Sequence, residues 1–239
     1  MSPVISVIVP AHNETAFLPA CLEAIAIAAE RVGTRVETVV VLNRCTDDTG
    51  DIARRAGCLV VSEDAKNLSR IRNAGAAAAS GEIIVTCDAD SRMHEDSLVE
   101  IVRRLESPKI VGGGAMVLPE RWSPGIVASL LSIVPYLALA RVSFGQFWCR
   151  KVDFDAIGGF DEGFVSVEDI DFARRLKAYG RASGRVWDTL MKTPLITSCR
   201  KFDKFGDWYL FLNPSLVRTM FKGRDQRAAD HFWYDVRSD

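Results

Sequence analysis

The chain has 239 residues, 48% hydrophobic and 26% charged, the length and apolar content of one ordinary globular domain, which excludes global disorder. Thirty basic residues against 31 acidic ones leave a net charge of -1, so no bulk attraction draws nucleic acid or anionic lipid and any anion must be bound locally. Six cysteines, at 21, 45, 58, 87, 149 and 199, lack the short paired spacings of metal knuckles, and reduced thiols in a cytosolic compartment are the default expectation.

The N-terminal MSPVISVIVPAHNE has no basic start, apolar core and small-residue cleavage site, so no export signal is expected. Val4 to Val9 is an apolar, β-branched run that suits a parallel strand buried on both faces, with Pro10 ending it. Asn13 or Thr15 is placed to cap a helix in which Phe17, Leu18, Cys21, Leu22 and Ile25 recur at helical spacing before Gly33. The unit repeats. Val36 to Leu42 reads as a strand, Thr46 to Asp48 as a capped start, Ile52 to Ala56 as a helix closed by Gly57, and Leu59 to Ser62 as a short strand.

Leu68 to Ala79 follows as a small-residue helix, and Glu82 to Cys87 as a strand running into Asp88, Ala89 and Asp90. Alternating strands and helices predict an α/β fold with a mainly parallel sheet flanked by helices, which binds ligands outside the carboxyl ends of its strands. AHNE, NRCTDD and DADS all lie at such ends. Ser97 to Leu105 reads as helix, and Lys109 to Val117 as a strand whose Gly112 to Gly114 would admit a close backbone approach. The pattern then fades until Val167 to Tyr179, an amphipathic helix with Gly180 at its end.

Asp88 and Asp90 are hard oxygen donors at a strand end. They suit Mg²⁺ or Mn²⁺, which takes one or two carboxylates and completes its octahedron with phosphate oxygens and water. That points to a diphosphate ligand; for DAD alone, a solvated acidic turn is the plainer reading. The ordered segments SVIVPAHNE, TDDT, IRNAGAAAASGEIIVTCDAD, GGFDEGF and VEDIDFARRL, over roughly residues 4 to 180, resemble the GT-A glycosyltransferases, specifically family 2 of inverting enzymes with nucleotide-sugar donors.

The resemblance implies that Ala11 and Glu14 contact the nucleotide, that Asp47 and Arg72 line the same pocket, that Asp88 meets ribose or assists the metal, and that Asp90 binds a Mn²⁺ or Mg²⁺ ion as part of a DXD motif. It further implies that Glu168 and Asp169 occupy the position where a carboxylate deprotonates the acceptor hydroxyl, with Asp169 as the base. On spacing alone, Ser166 to Asp169 equally fits a helix cap, just as Asp47 fits a cap and Arg72 a helix surface. Asp171 and Arg174 read as structural or acceptor-shaping.

One departure concerns the base: VLNRCTD stands where many relatives read VDDGSTD, so Leu42 and Asn43 replace an acidic pair. Asn43 still offers a donor and an acceptor, and UDP and GDP donors both stay open. A saccharide or lipid-linked acceptor is expected, and nucleic acid is not. Two other classes compete. A nucleotidyltransferase would carry a glycine-rich basic loop, which AHNETAF is not, and a nucleotide-sugar-binding module without turnover would not need Asp88, Asp90 and Asp169 together. A dinucleotide dehydrogenase is excluded because no GXGXXG opens the first helix.

His12, His94 and His231 form no spaced ligand cluster, and only His231 is a candidate to reach metal or phosphate from a C-terminal lid. Trp122 to Ala140 carries no charge, and the apolar stretch within it, Ile126 to Ala140, is too short to span a bilayer. It is either one of a buried helix pair or an interfacial element at the inner membrane face of an otherwise cytoplasmic protein. Residues 1–200 are expected to form the GT-A domain and 201–239 an aromatic extension of it. Phe202 to Tyr234 holds nine of the 21 aromatic residues, enough for an acceptor-side lid, a closed core edge or a homodimer contact, with Arg218, Lys222, Arg224 and Arg227 available to phosphates.

Overall fold

The computed structural model describes residues 4–140, 145–164 and 168–220. In chain order its elements are β1 (Ile5–Ala11), α1 (Leu18–Val32), β2 (Val36–Leu42), α2 (Thr49–Arg55), β3 (Leu59–Ser62), α3 (Leu68–Ala78), β4 (Ile83–Thr86) and β5 (Ser91–Arg92). They continue with α4 (Ser97–Leu105), β6 (Ile110–Pro119), α5 (Pro124–Ala140), β7 (Trp148–Arg150), α6 (Lys151–Ala156), α7 (Glu168–Ala182), β8 (Val186–Thr197), α8 (Arg200–Phe205), α9 (Tyr209–Leu212) and α10 (Pro214–Met220).

The strands make one sheet in the order β3-β2-β1-β4-β7-β6-β8-β5. Neighbours are parallel from β3 to β4 and between β6 and β8, while β7 and β5 run against theirs. Successive side chains of a strand point to opposite faces, and β1 divides accordingly. Ile5, Val7 and Val9 join the core under α1 and α4, whereas Ile8 joins the core under α3 and α7. The sheet is thus mainly parallel and flanked by helices, as expected.

Several boundaries differ for local reasons. β1 continues through Pro10 to Ala11 because the backbone of Ile8 and Pro10 faces β4, whose pairing with β1 ends at Ile8 and Thr86, so no ladder bond needs a Pro10 N–H. Neither Asn13 nor Thr15 caps α1; Phe17 stands at the cap without a side-chain bond, and Asn13 and Thr15 bond instead to Thr46 and Asp47. Gly33 closes the helix at φ 63° as anticipated. Gly180 does not end α7 but lies inside it, where an added Cβ would sit 2.7 Å from Val111 of β6.

The glycines of β6 do serve close approach. A Cβ on Gly113 would lie 2.0 Å from the Asp188 carbonyl and 2.4 Å from the buried Trp148 ring. The sequence pattern misses β7, which is three residues long, and β8, whose register against β6 is broken between Leu190 and Leu195 by a segment containing Pro194. α5 is half core and half surface. Ile126 and Ser129 face inward, and Ser129 bonds the Asp207 carbonyl and the Phe211 N–H of the α9 region, while Pro124, Val127, Leu131 and Pro135 are exposed. Among the described residues no helix is long and apolar enough to cross a membrane.

Candidate functional site

The loops after β1, β2 and β4 meet at one rim, and α7 and the turn into α8 close on it from the other half of the sheet. An alternating chain of charges runs across this rim. Glu168 at the start of α7 accepts from Arg72 Nη1 at 2.7 Å, and Arg72 Nη2 reaches Asp88 Oδ1 at 3.0 Å. Two residues on, Asp90 Oδ2 lies 2.7 Å from Nη2 of Arg200, whose fork is bidentate to Glu14 at 2.7 and 2.9 Å. Among the described residues these four carboxylates share two guanidiniums, those of Arg72 and Arg200, and Asp169 lies beside them.

Each member has a local reason for its place. Asn67 caps α3 by accepting the Arg70 N–H, while its amide donates to the carbonyls of Glu162 and Phe164. Asn73 exchanges two 2.9 Å bonds with the backbone of Phe160. These asparagines stitch α3 to the GGFDEGF loop and so bring the start of α7 against Arg72. Phe160 stacks on Phe172 at 4.3 Å and carries the Arg72 guanidinium over its face at 5.2 Å.

Arg72 is 3% exposed; burial opposes its charge, but Asp88, Glu168 and Asp169 outweigh it and hold the guanidinium above its ordinary range. Asp169 lies in the opposite situation. Burial and the adjacent Glu168 carboxylate push its pKa up to about 7 against the pull of Arg72, and its Oδ1 accepts the Ile170 N–H at 2.8 Å. Ser166, its partner in the cap reading, lies outside the described residues.

Other expected site residues are placed differently. Ala11 is buried, and its carbonyl accepts the Asn43 N–H at 2.8 Å. The Asn43 amide is spent on the protein: its nitrogen donates to the carbonyls of Glu63 and Ala65, and its oxygen accepts from Arg44. Asp47 braces two loops, with Oδ2 accepting from Thr15 and Oδ1 from the Thr49 N–H. Burial works against its ionised form, yet those bonds hold it below the ordinary carboxylate range. His12 Nδ1 is 2.5 Å from the Asn43 carbonyl and His94 accepts the Asp96 N–H. His231, Lys222, Arg224 and Arg227 lie outside the described residues. Asp171 pairs with Arg175 along α7.

Asp88 and Asp90 fit the divalent cation that the sequence resemblance implies. They are the hard oxygen donors such an ion takes, and among the described residues no group of three or more His, Cys, Asp and Glu is placed to hold a metal. Arg200, which occupies Asp90, is the residue the sequence reading misses. It stands in SCRKF with no motif or periodicity, 110 positions beyond its partner, and only the tertiary fold brings it there.

A family model for glycosyl transferase family 2 matches residues 6–148. The chain belongs to that family. An uncharacterized glycosyltransferase of Mycobacterium tuberculosis is 36% identical over 102 residues, 43% of this chain and 44% of its own, so this chain spans less than half of that relative in the matched region. A mannosyltransferase from Pyrobaculum calidifontis, solved with GDP-Man and Mn²⁺, superposes with a TM-score of 0.63 at 18% identity over 95% of this chain and 67% of its own. Glucosyl-3-phosphoglycerate synthase from M. tuberculosis, solved with Mn²⁺, UDP and glucosyl-3-phosphoglycerate, gives 0.58 at 21% identity over 90% and 80%. At these identities the likeness establishes the shared GT-A fold.

Proposed function

We propose that this family 2 chain is an inverting glycosyltransferase that moves a sugar from a UDP or GDP donor to an acceptor hydroxyl, with a divalent cation at Asp88 and Asp90. The observation that supports the reading is the charge chain: through Arg72 and Arg200 it gathers Glu168, Asp88, Asp90 and Glu14 on one rim, beside Asp169, whose pKa burial and Glu168 push up to about 7. The donor classes are those bound by the structural neighbours.

Asp169 takes the proton of the acceptor hydroxyl as its oxygen attacks the anomeric carbon and the bond to the diphosphate breaks. A single displacement of this kind inverts configuration and needs no covalent sugar adduct. A base with a pKa close to the working pH balances availability against driving force, and burial beside Glu168 supplies that tuning. Arg72 keeps Glu168 and Asp88 in register, so the base and the donor site are fixed by one side chain. Mg²⁺ or Mn²⁺, when bound, offsets the charge of the departing nucleoside diphosphate. With the Asn43 amide engaged, discrimination of the nucleobase falls to groups other than its side chain.

The exposed apolar face of α5 and its neighbours favours a lipid-linked over a freely soluble acceptor. A screen of UDP and GDP sugars with Mg²⁺ or Mn²⁺, read by nucleoside diphosphate release, tests the reading. Release that depends on metal and is lost in Asp90→Ala is the expected result. Binding of a donor without release would leave the nucleotide-binding module as the better reading, and neither binding nor release with any donor would overturn both.

A further inference from the structure

The position of Arg200 has a consequence that rests on the proposed function and goes beyond it. Its Nη1 and Nη2 form a complete fork with Glu14, which is 1% exposed, whereas Arg200 reaches Asp90 through Nη2 alone, at an oxygen that also accepts from the Ser198 hydroxyl at 3.2 Å. Arg200 lies over the Phe17 ring at 5.1 Å, and its buried Nε has no hydrogen-bond partner. Burial opposes its charge, and Asp90 and Glu14 overcome that cost. The guanidinium is therefore anchored to Glu14 and can give up Asp90 without losing its fork.

We propose that Arg200 is the resident counter-cation of the donor site, exchanged for a divalent ion at Asp90 and, once released, a hydrogen-bond donor to the diphosphate of the bound nucleotide. Two cations cannot share one half-buried carboxylate oxygen cheaply, so ion and guanidinium compete for Asp90 Oδ2. After the exchange, the freed edge of Nη2 and the unpartnered Nε are the donors left facing an anion, and an arginine fork matches phosphate geometry. Arg200 thereby positions the leaving group while Glu14 holds the side chain in place.

The test uses the full chain and two probes. Titration of Mn²⁺ without nucleotide, followed by its electron paramagnetic resonance signal, should show tighter binding in Arg200→Gln than in wild type, by roughly tenfold or more, the scale of one removed competing charge. Glu14→Gln should shift Mn²⁺ affinity the other way, because the displaced guanidinium loses its anchor and holds Asp90 harder. This second variant keeps the proposal testable if Arg200→Gln folds poorly. At saturating Mn²⁺, Arg200→Gln should weaken UDP or GDP binding by roughly 10- to 100-fold while leaving UMP or GMP nearly unchanged. Equal Mn²⁺ affinity in all three proteins, or equal losses for mono- and diphosphates, would overturn the inference with the donor site intact. Absence of both Mn²⁺ and nucleotide binding in wild type would instead remove the proposed function beneath it.

Discussion

Asp169 separates a catalytic from a structural carboxylate by the sign of one substitution. A helix-capping aspartate stabilises the fold, so its loss lowers the melting temperature, by about 1 kcal/mol of stability for a typical cap. A carboxylate whose pKa is pushed up to about 7 by burial and by Glu168 does the reverse. Between the ordinary value of 3.8 and about 7 the folded chain holds a proton that the unfolded chain has released. Stability on account of this group is therefore greatest below the ordinary carboxylate value and falls as pH rises to about 7. Asp169→Asn should remove that slope. Its melting temperature relative to wild type should climb between pH 4 and 7 and stay higher above, while transfer falls roughly 10²- to 10⁴-fold and nucleotide binding persists. A variant that melts lower at pH 8 but keeps its specific activity would make Asp169 a structural residue. In the wild type, kcat/KM should rise with pH through the neutral range as the base ionises. The residue scale also marks what single positions disclose: Asp88, Asp90, Arg72 and Glu14 stand in short motifs and meet on one rim, whereas Asn43 looks available in sequence and is consumed by the 63–65 loop, a contact that only the fold forms.

At the scale of elements, the first ninety residues are legible because each strand is a buried apolar run and each crossover helix has its own period. The second half is not. β7 is three residues long, β8 changes register around Pro194, and the site-forming link between α3 and α7 is made by asparagine side chains rather than by periodicity. That link carries a prediction. Asn73→Ala removes both bonds to the Phe160 backbone, which should cost about 1–3 kcal/mol. Because the loop leads into Glu168 and Asp169, kcat should fall further than affinity for the nucleoside diphosphate. Equal changes in both would show that the link supports the fold without steering the base. Gly113→Ala should be the harsher change. Its Cβ has no room against the Asp188 carbonyl and the Trp148 ring, and β6 would have to part from β8, so a loss of about 3 kcal/mol or more is expected in chemical denaturation.

At the scale of the whole molecule, the surface is unevenly finished. From Trp122 to Ala140 no residue is charged, and among its described side chains α5 turns Ile126, Ser129 and Ile133 to the protein, where α9 covers it and Phe202, Phe205 and Tyr209 gather around Leu210, Val217 and Ile133. The other face leaves Leu131 62% exposed, with Trp122 just before the helix at 59% and, on and beside α9, Trp208, Phe211 and Leu212 at up to 68%. A helix that is apolar all round belongs in a nonpolar surrounding, and one flanked by tryptophans suits a headgroup boundary. Arg121, the cation at its start, is already paired with Asp203 and Asp207, so the described exposed face of α5 offers apolar rather than electrostatic attraction. The full chain should therefore float with zwitterionic liposomes about as well as with anionic ones, with little response to salt. Leu131→Glu combined with Leu212→Glu should abolish flotation while leaving nucleotide binding unchanged, since neither residue belongs to the charge chain at the rim. Flotation that needs anionic lipid and vanishes in salt would place the contact on a basic surface elsewhere. Absence of flotation, with a concentration-dependent dimer in sedimentation that the same double variant dissolves, would give the apolar face to a second copy of the chain and return the acceptor to the aqueous phase.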